Sequence, residues 1–302
     1  MSTNLAFTDS ATASTTNNAA STDLTATDNT TSAECRLKRI QDNQQFAHLR
    51  GPDCLGAFCG QRAAISFTGG KDCHLALQRC VDAGITIVCG VSFVSPNHTF
   101  HAHRTEWQLQ QGRALQIPIV QGCLTELLSN PKDYPAAYAA AIRQLQHEYQ
   151  IQLIITGDID YVGTTATTNF MQQVCREQDC HGVQVLLPLW QQSRHELMNE
   201  MIHKYNFDIR MCCVKSPFFD ETWIGRRLDT TALHELEAMV EQGLDLSGEN
   251  GEYHTMVVNG PMYHAMPLHF VHVSAKELLQ QPGQKDGERW WVMHETSQLI
   301  PR

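Results

Sequence analysis

The chain has 302 residues, with 22 Lys or Arg against 32 Asp or Glu and a formal net charge of −10 at pH 7. That balance argues against a general nucleic-acid binder, which carries a basic face, and no apolar run approaches the roughly 20 residues of a membrane-spanning helix. Eleven cysteines, an odd count with no C-x-x-C pair and no secretory leader before them, predict a reducing, cytoplasmic setting rather than a disulfide scaffold or a zinc ribbon.

Residues 1–33 are mostly Ser, Thr, Ala, Asn and Asp, without a single Lys or Arg. Such a composition buries too little apolar surface to offset ordering entropy, which predicts a disordered tail. Residues 34–61 are expected to lead in through a short helix and a loop. Ala63–Thr68 then reads as a strand and 72–83 as a helix. Ile85–Val94 is β-branched and continuous, which suits a strand buried on both faces. A helix over 102–115, a strand at 117–120, an Ala-rich helix over 135–149, a strand at Ile151–Thr156, a helix near 165–179 and a strand at Val183–Leu187 follow. This alternation predicts an α/β fold over residues 62–187, a doubly wound parallel five-stranded sheet. Past Pro188 the pattern changes. A helix at 194–204, a strand at Asp208–Val214, a helix capped by Thr230 or Thr231 and ended at Gly243, and strands at Glu249–Val258 and Leu268–Val273 predict a smaller α+β lobe over 188–302.

The first strand runs into Thr68-Gly69-Gly70-Lys71-Asp72-Cys73 and then into a helix. Adjacent glycines let the backbone turn sharply and present N–H groups at a helix N-terminus, where the aligned peptides attract an anion. Lys71 adds a cation, and the Ser66 and Thr68 hydroxyls can donate to phosphate oxygens. The spacing is too short for the Walker-type loop. Ligands of open α/β sheets bind beyond the carboxyl ends of the strands. Three polar stretches fall at such ends: Thr68–Cys73, Ser95–Arg104 and Thr156–Asp160. A further polar stretch is Glu249-Asn250-Gly251-Glu252-Tyr253-His254-Thr255, where Gly251 suits a turn with positive φ. Its carboxylates could form an ordinary acidic turn, or bind an amine, magnesium or ammonia.

The loop at 68–73 resembles that of the adenine-nucleotide alpha-hydrolase superfamily. With Gly157-Asp158-Ile159, Leu187-Pro188-Leu189-Trp190, Trp223-Ile224-Gly225-Arg226 and Gly248–Thr255 in this order, the chain resembles the diphthine–ammonia ligase family of N-type ATP pyrophosphatases over residues 62–265. Cys73 and His254 stand where that family usually has serine and glutamate, and the Asn-Gly-Glu-Tyr-His-Thr form looks more like its bacterial members. The resemblance implies an enzyme that adenylates a carboxylate with ATP, releases pyrophosphate and lets ammonia displace AMP to leave an amide. It implies that Ser66, Thr68, Gly69, Gly70, Lys71, Asp72 and Cys73 cradle the phosphates, with Gly157 and Asp158 near adenine or a magnesium ion held by Asp158. Lys71 would absorb developing charge and Glu252 would take a proton from ammonia. His101, Arg104, Arg226, Glu249, Gly251, Glu252 and Tyr253 would face the acceptor, with His101, Arg104, Gln108 and Gln111 on one helical face. The acceptor would be diphthine on elongation factor 2, or else a small metabolite or corrinoid carboxylate. An ATP-binding sensor without turnover and a tRNA-sulfuration enzyme are the other readings; no membrane or nucleic-acid partner is expected.

Overall fold

The structure, a computed structural model, describes residues 25–94, 101–123, 134–162, 166–178, 180–263, 266–278, 287–294 and 297–302. Its first element, α1 (Thr25–Phe46), takes in residues 25–33, which composition assigns to the tail. Extending a helix adds one hydrogen bond per residue once the nucleus exists. The helix is anchored downstream, where Arg39 donates to the Ala166 carbonyl and Asp42 accepts from the Tyr161 hydroxyl and from Arg50. Two 3-10 turns, Ala47–Leu49 and Pro52–Phe58, then lead to the first strand.

Five parallel strands follow: β1 (Arg62–Ser66), β2 (Thr86–Val94), β3 (Ile119–Cys123), β4 (Leu153–Ile155) and β5 (Gln184–Leu186), in the spatial order 3-2-1-4-5. The helices between them are α2 (Lys71–Asp82), α3 (Thr105–Leu115), α4 (Tyr134–Tyr149) and α5 (Phe170–Glu177). Side chains alternate across the sheet, as a pleat requires. Ala63 and Ile65 enter the core on the α2 side, while Ala64, Ile154 and Val185 enter the core beneath α4 and α5. Strand order reverses between β1 and β4, so the crevice beyond their carboxyl ends is the binding position of such a sheet. The two stretches there, 68–73 and 156–160, are two of the three that the sequence singles out; residues 95–100 of the third lie outside the described residues.

The remainder carries α6 (Arg194–Asn199, continued by a π-helical turn to Lys204), β6 (Asp208–Lys215), α7 (Thr230–Val240), β7 (Tyr253–Asn259), β8 (Leu268–Val271), β9 (Ala275–Leu278), β10 (Trp290–Met293) and β11 (Gln298–Pro301). A four-stranded antiparallel sheet runs in the order 7-6-10-9, and β11 pairs with β8. The cap of α7 is Asp229, whose carboxylate accepts from the Ala232 amide, not Thr230 or Thr231; an ionised oxygen at that position also meets the positive end of the helix. Residues 249–252 form a turn, so the strand expected from Glu249 begins at Tyr253. The α2-side core is continuous with the interior of this second part, through Met211, Val214, Met256 and Val257.

Candidate functional site

The turn after β1 is held from three sides. Gly69 has φ +83°, and its carbonyl accepts from the Gln111 side-chain amide at 2.9 Å and from the Val257 amide at 3.0 Å. Gln108 donates to the Thr68 carbonyl at 3.2 Å. From β4, Gly157 presses its backbone against the first turn of α2: a Cβ there would lie 2.7 Å from both Asp72 C and Cys73 N. Asp158 follows, 7% exposed, with one carboxylate oxygen accepting from the Asn169 amide. Ser66, at the end of β1, is buried.

Lys71 does not lie on a solvated face. Its side chain is 1% exposed, and Nζ donates to both oxygens of Asp72 (3.0 and 2.8 Å) and to the Ser247 carbonyl at 2.6 Å, 5.4 Å from the centre of the Tyr253 ring. The Lys71 amide, one of the orphan donors at the start of α2, donates to the Thr255 hydroxyl at 3.1 Å. The turn at 247–252 and strand β7 therefore form a wall directly over the phosphate-type loop. That wall is acidic. Glu252 is 3% exposed; its Oε1 accepts from the Asp245 amide at 3.0 Å and from the Asn250 side chain at 3.1 Å, while its Oε2 and the Ser247 hydroxyl are buried without a hydrogen-bond partner among the described residues. Gly251 adopts φ +77°, as a turn of this kind needs.

Burial, reinforced by the Asp72 carboxylate and opposed by Lys71, pushes Glu249 up from 4.5 to about 8. A carboxyl whose folded value is raised contributes stability that is fully present below about 4.5 and lost as pH rises through about 8. The thermal midpoint is accordingly expected to fall across that window in the wild-type protein. Glu249→Gln should flatten the fall and exceed the wild type at pH 8; equal pH profiles for the two proteins would remove Glu249 as the titrating group.

Cys73 and His74 carry chemistry that the sequence does not announce. Burial raises the Cys73 thiol, but the His74 imidazole, 3.7 Å away, and the Thr68 hydroxyl outweigh it and hold the thiol at about 6. The partner sits one residue on, in what reads as the apolar face of a helix. Its Nδ1 lies 2.9 Å from the Gly70 carbonyl and its Nε2 2.9 Å from the Tyr263 hydroxyl. A second imidazole pair, His103 and His254, meets edge to face at 5.4 Å. Burial pushes His103 down to about 3 and His254 well below the usual range, so both rings are neutral near pH 7.

The helical face expected of His101, Arg104, Gln108 and Gln111 is only half formed. Gln108 and Gln111 lie on α3, but Arg104 is its N-cap in extended conformation and packs its guanidinium 4.9 Å over the Trp107 ring. The side chain of His101 and residues 95–100 lie outside the described residues. Arg226 is not brought to the loop: it pairs with Glu235 and stacks at 4.2 Å on Trp223. Trp190 likewise packs, donating to Asn43 beneath the Arg50 guanidinium. The sequence reasoning missed His74, Thr255 and Ser247 as contacts of the loop. Thr255 and Ser247 lie in the stretch that it singled out, whereas His74 carries no mark at all.

Residues 193–280 match the family model of the diphthamide synthase C-terminal domain. Over 218 residues the chain is 22% identical to a diphthine–ammonia ligase of Rattus norvegicus and 21% identical to that of Homo sapiens, each alignment covering 67% of this chain and 80% of the relative. A Danio rerio protein of the same name is 22% identical over 213 residues, covering 65% of this chain and 81% of its own.

Proposed function

The chain belongs to the diphthine–ammonia ligase family, and on that premise we propose that it joins ammonia to a substrate carboxylate, driven by cleavage of ATP to AMP and pyrophosphate. The observation that carries this reading is the meeting of two parts: a Gly-Gly-Lys loop at the crevice of a parallel sheet, and an acidic wall from the second sheet with a buried, unpartnered carboxylate oxygen on Glu252.

A carboxylate is a poor electrophile until one of its oxygens becomes a good leaving group. In this reading its oxygen attacks the alpha phosphorus, the bond to the beta-phosphate bridging oxygen breaks, and pyrophosphate departs. The loop amides from Gly69 to Cys73 and the Lys71 ammonium stabilise the charge that develops. The Thr255 hydroxyl occupies the Lys71 amide, so phosphate binding there displaces it. Ammonia then attacks the carbonyl carbon and AMP leaves. Glu252 Oε2 accepts a hydrogen bond from the nitrogen and takes the proton it sheds, while Glu249, protonated below about 8, donates to a substrate oxygen. Tyr253 and Gly251 shape that side of the pocket.

Magnesium fits as a partner of the nucleotide rather than as an ion in a protein cage. Among the described residues no three metal-ligating side chains are gathered, and a small hard cation commonly takes one or two carboxylates and completes its shell with phosphate oxygens and water. Asp158 would supply the carboxylate, and the ion would neutralise charge on the triphosphate. The relatives' name supplies the acceptor, diphthine.

The test is an assay with ATP, magnesium, ammonium and candidate carboxylates, following AMP and pyrophosphate. Glu252→Gln is expected to leave ATP binding unchanged and to slow amide formation about a hundredfold or more, the scale of losing a positioned base. Release of ADP and phosphate, or wild-type amidation by the Glu252 variant, would overturn the assignment.

A further inference from the structure

A second cluster of charge lies away from the loop, where β6, β8 and the end of β11 meet. Asp208, whose carboxylate is 9% exposed, is shared by three arginines. Arg210 grips it with two bonds, Nε to Oδ1 at 2.7 Å and NH2 to Oδ2 at 3.1 Å. Arg302 reaches Oδ2 at 3.2 Å, and Arg227 Nε stands 3.8 Å from Oδ1, beyond hydrogen-bond reach. Three guanidinium groups gather around one carboxylate, on a protein whose formal net charge is −10. Among the described residues, Arg227 Nε is buried without a hydrogen-bond partner, and so is His269 Nδ1.

Beside this cluster is a recess of about 270 Å³ lined by Arg210, Gly225, His269, Phe270, Val273 and Arg302. Its wall is made by close approach: a Cβ on Gly225, at φ +78°, would lie 2.4 Å from Val273 Cγ1. One side is therefore cationic. The other is apolar, formed by Phe270, whose ring meets Trp107 edge to face at 4.9 Å, and by Val273, an exposed valine.

We propose that this recess binds the phosphate dianion of a small phosphorylated molecule, with Arg210, Arg302 and His269 as donors and Phe270 and Val273 receiving its carbon skeleton. A phosphomonoester carries about −1.5 to −2 at pH 7 and offers three acceptor oxygens to these donors, whereas a carboxylate carries one charge and offers two. Guanidinium forks suit the tetrahedral oxyanion, and a buried imidazole nitrogen without a partner gains one. The site is separate from the phosphate-type loop, whose cation is Lys71, so it stands or falls independently of the amidation chemistry.

Inorganic phosphate is the probe. It is titrated at low salt into the wild-type protein, Arg302→Met and the double variant Arg302→Met/His269→Gln, with affinity read by calorimetry and the arginine Nε signals by NMR. The Arg302 side chain is 45% exposed, so its loss should spare the fold, which an unchanged melting temperature checks. The expected result is shifts of the Arg210 and Arg302 Nε signals, affinity at least tenfold weaker in Arg302→Met and weaker again in the double variant, and much poorer competition by acetate. Unchanged affinity in both variants, acetate binding as tightly as phosphate, or shifts confined to residues 69–73 would overturn the proposal.

Discussion

Lys71→Ala is expected to abolish ATP-dependent turnover and, at the same time, to lower the unfolding free energy by about 3–5 kcal/mol, the cost of leaving one member of a buried ion pair without its partner. The Asp72 carboxylate is 1% exposed and takes two bonds from the lysine. The Ser247 carbonyl loses its donor as well. Two consequences separate structure from catalysis. The double variant Lys71→Met/Asp72→Asn, which removes both charges at similar volume, should recover much of the stability and none of the turnover. Chemical denaturation of the three proteins decides this. If the double variant is no more stable than Lys71→Ala, the pair is not the source of the loss. If it turns over ATP, Lys71 is not the charge-absorbing group.

Gly157→Ala is expected to disrupt the crevice through a single methyl group. The added Cβ would meet backbone, Asp72 C and Cys73 N at 2.7 Å and Asp72 O at 3.0 Å. Backbone at the start of a helix cannot swing aside as a side chain does. Either the turn after β4 lifts off α2 or the helix start shifts, at a cost of about 1–3 kcal/mol or more for overpacking. In both cases the loop loses the geometry needed for a triphosphate, so ATP affinity falls together with the melting temperature. Gly251→Ala supplies the contrast, since nothing lies within 4 Å of its Cβ and only the φ of +77° resists. A Gly157 variant that binds ATP like wild type would show that the close approach does not position the loop.

Much of the fold is legible in the chain because each element of the parallel sheet carries its own local pattern. Continuous β-branched runs such as Ile85–Val94, separated by stretches with helical spacing, specify strands covered on both faces, and the Gly-Gly pair marks a sharp turn that leaves the orphan amides of a helix start open to a ligand. The second part was harder to read. Strands β9, β10 and β11 are four residues each, too short for a periodicity to rise above noise, and β10 also pairs with β6, some 75 residues back. The resemblance sets Arg226 against the acceptor, whereas in the fold a glutamate nine residues on holds it in a surface pair.

What the sequence by itself determined was the alternating α/β order, the loop at 68–73, and an acidic stretch around the glycine at 251, since these depend on backbone preference and neighbouring residues. Only the tertiary structure decided that the two meet. The Lys71 side chain is drawn beneath the Ser247 carbonyl 176 residues away, Thr255 occupies the amide of Lys71, and Glu249 is pushed up to about 8 because the fold removes it from water beside Asp72. Charge burial and hydrogen-bond partnership at that separation are products of packing, and no local pattern encodes them.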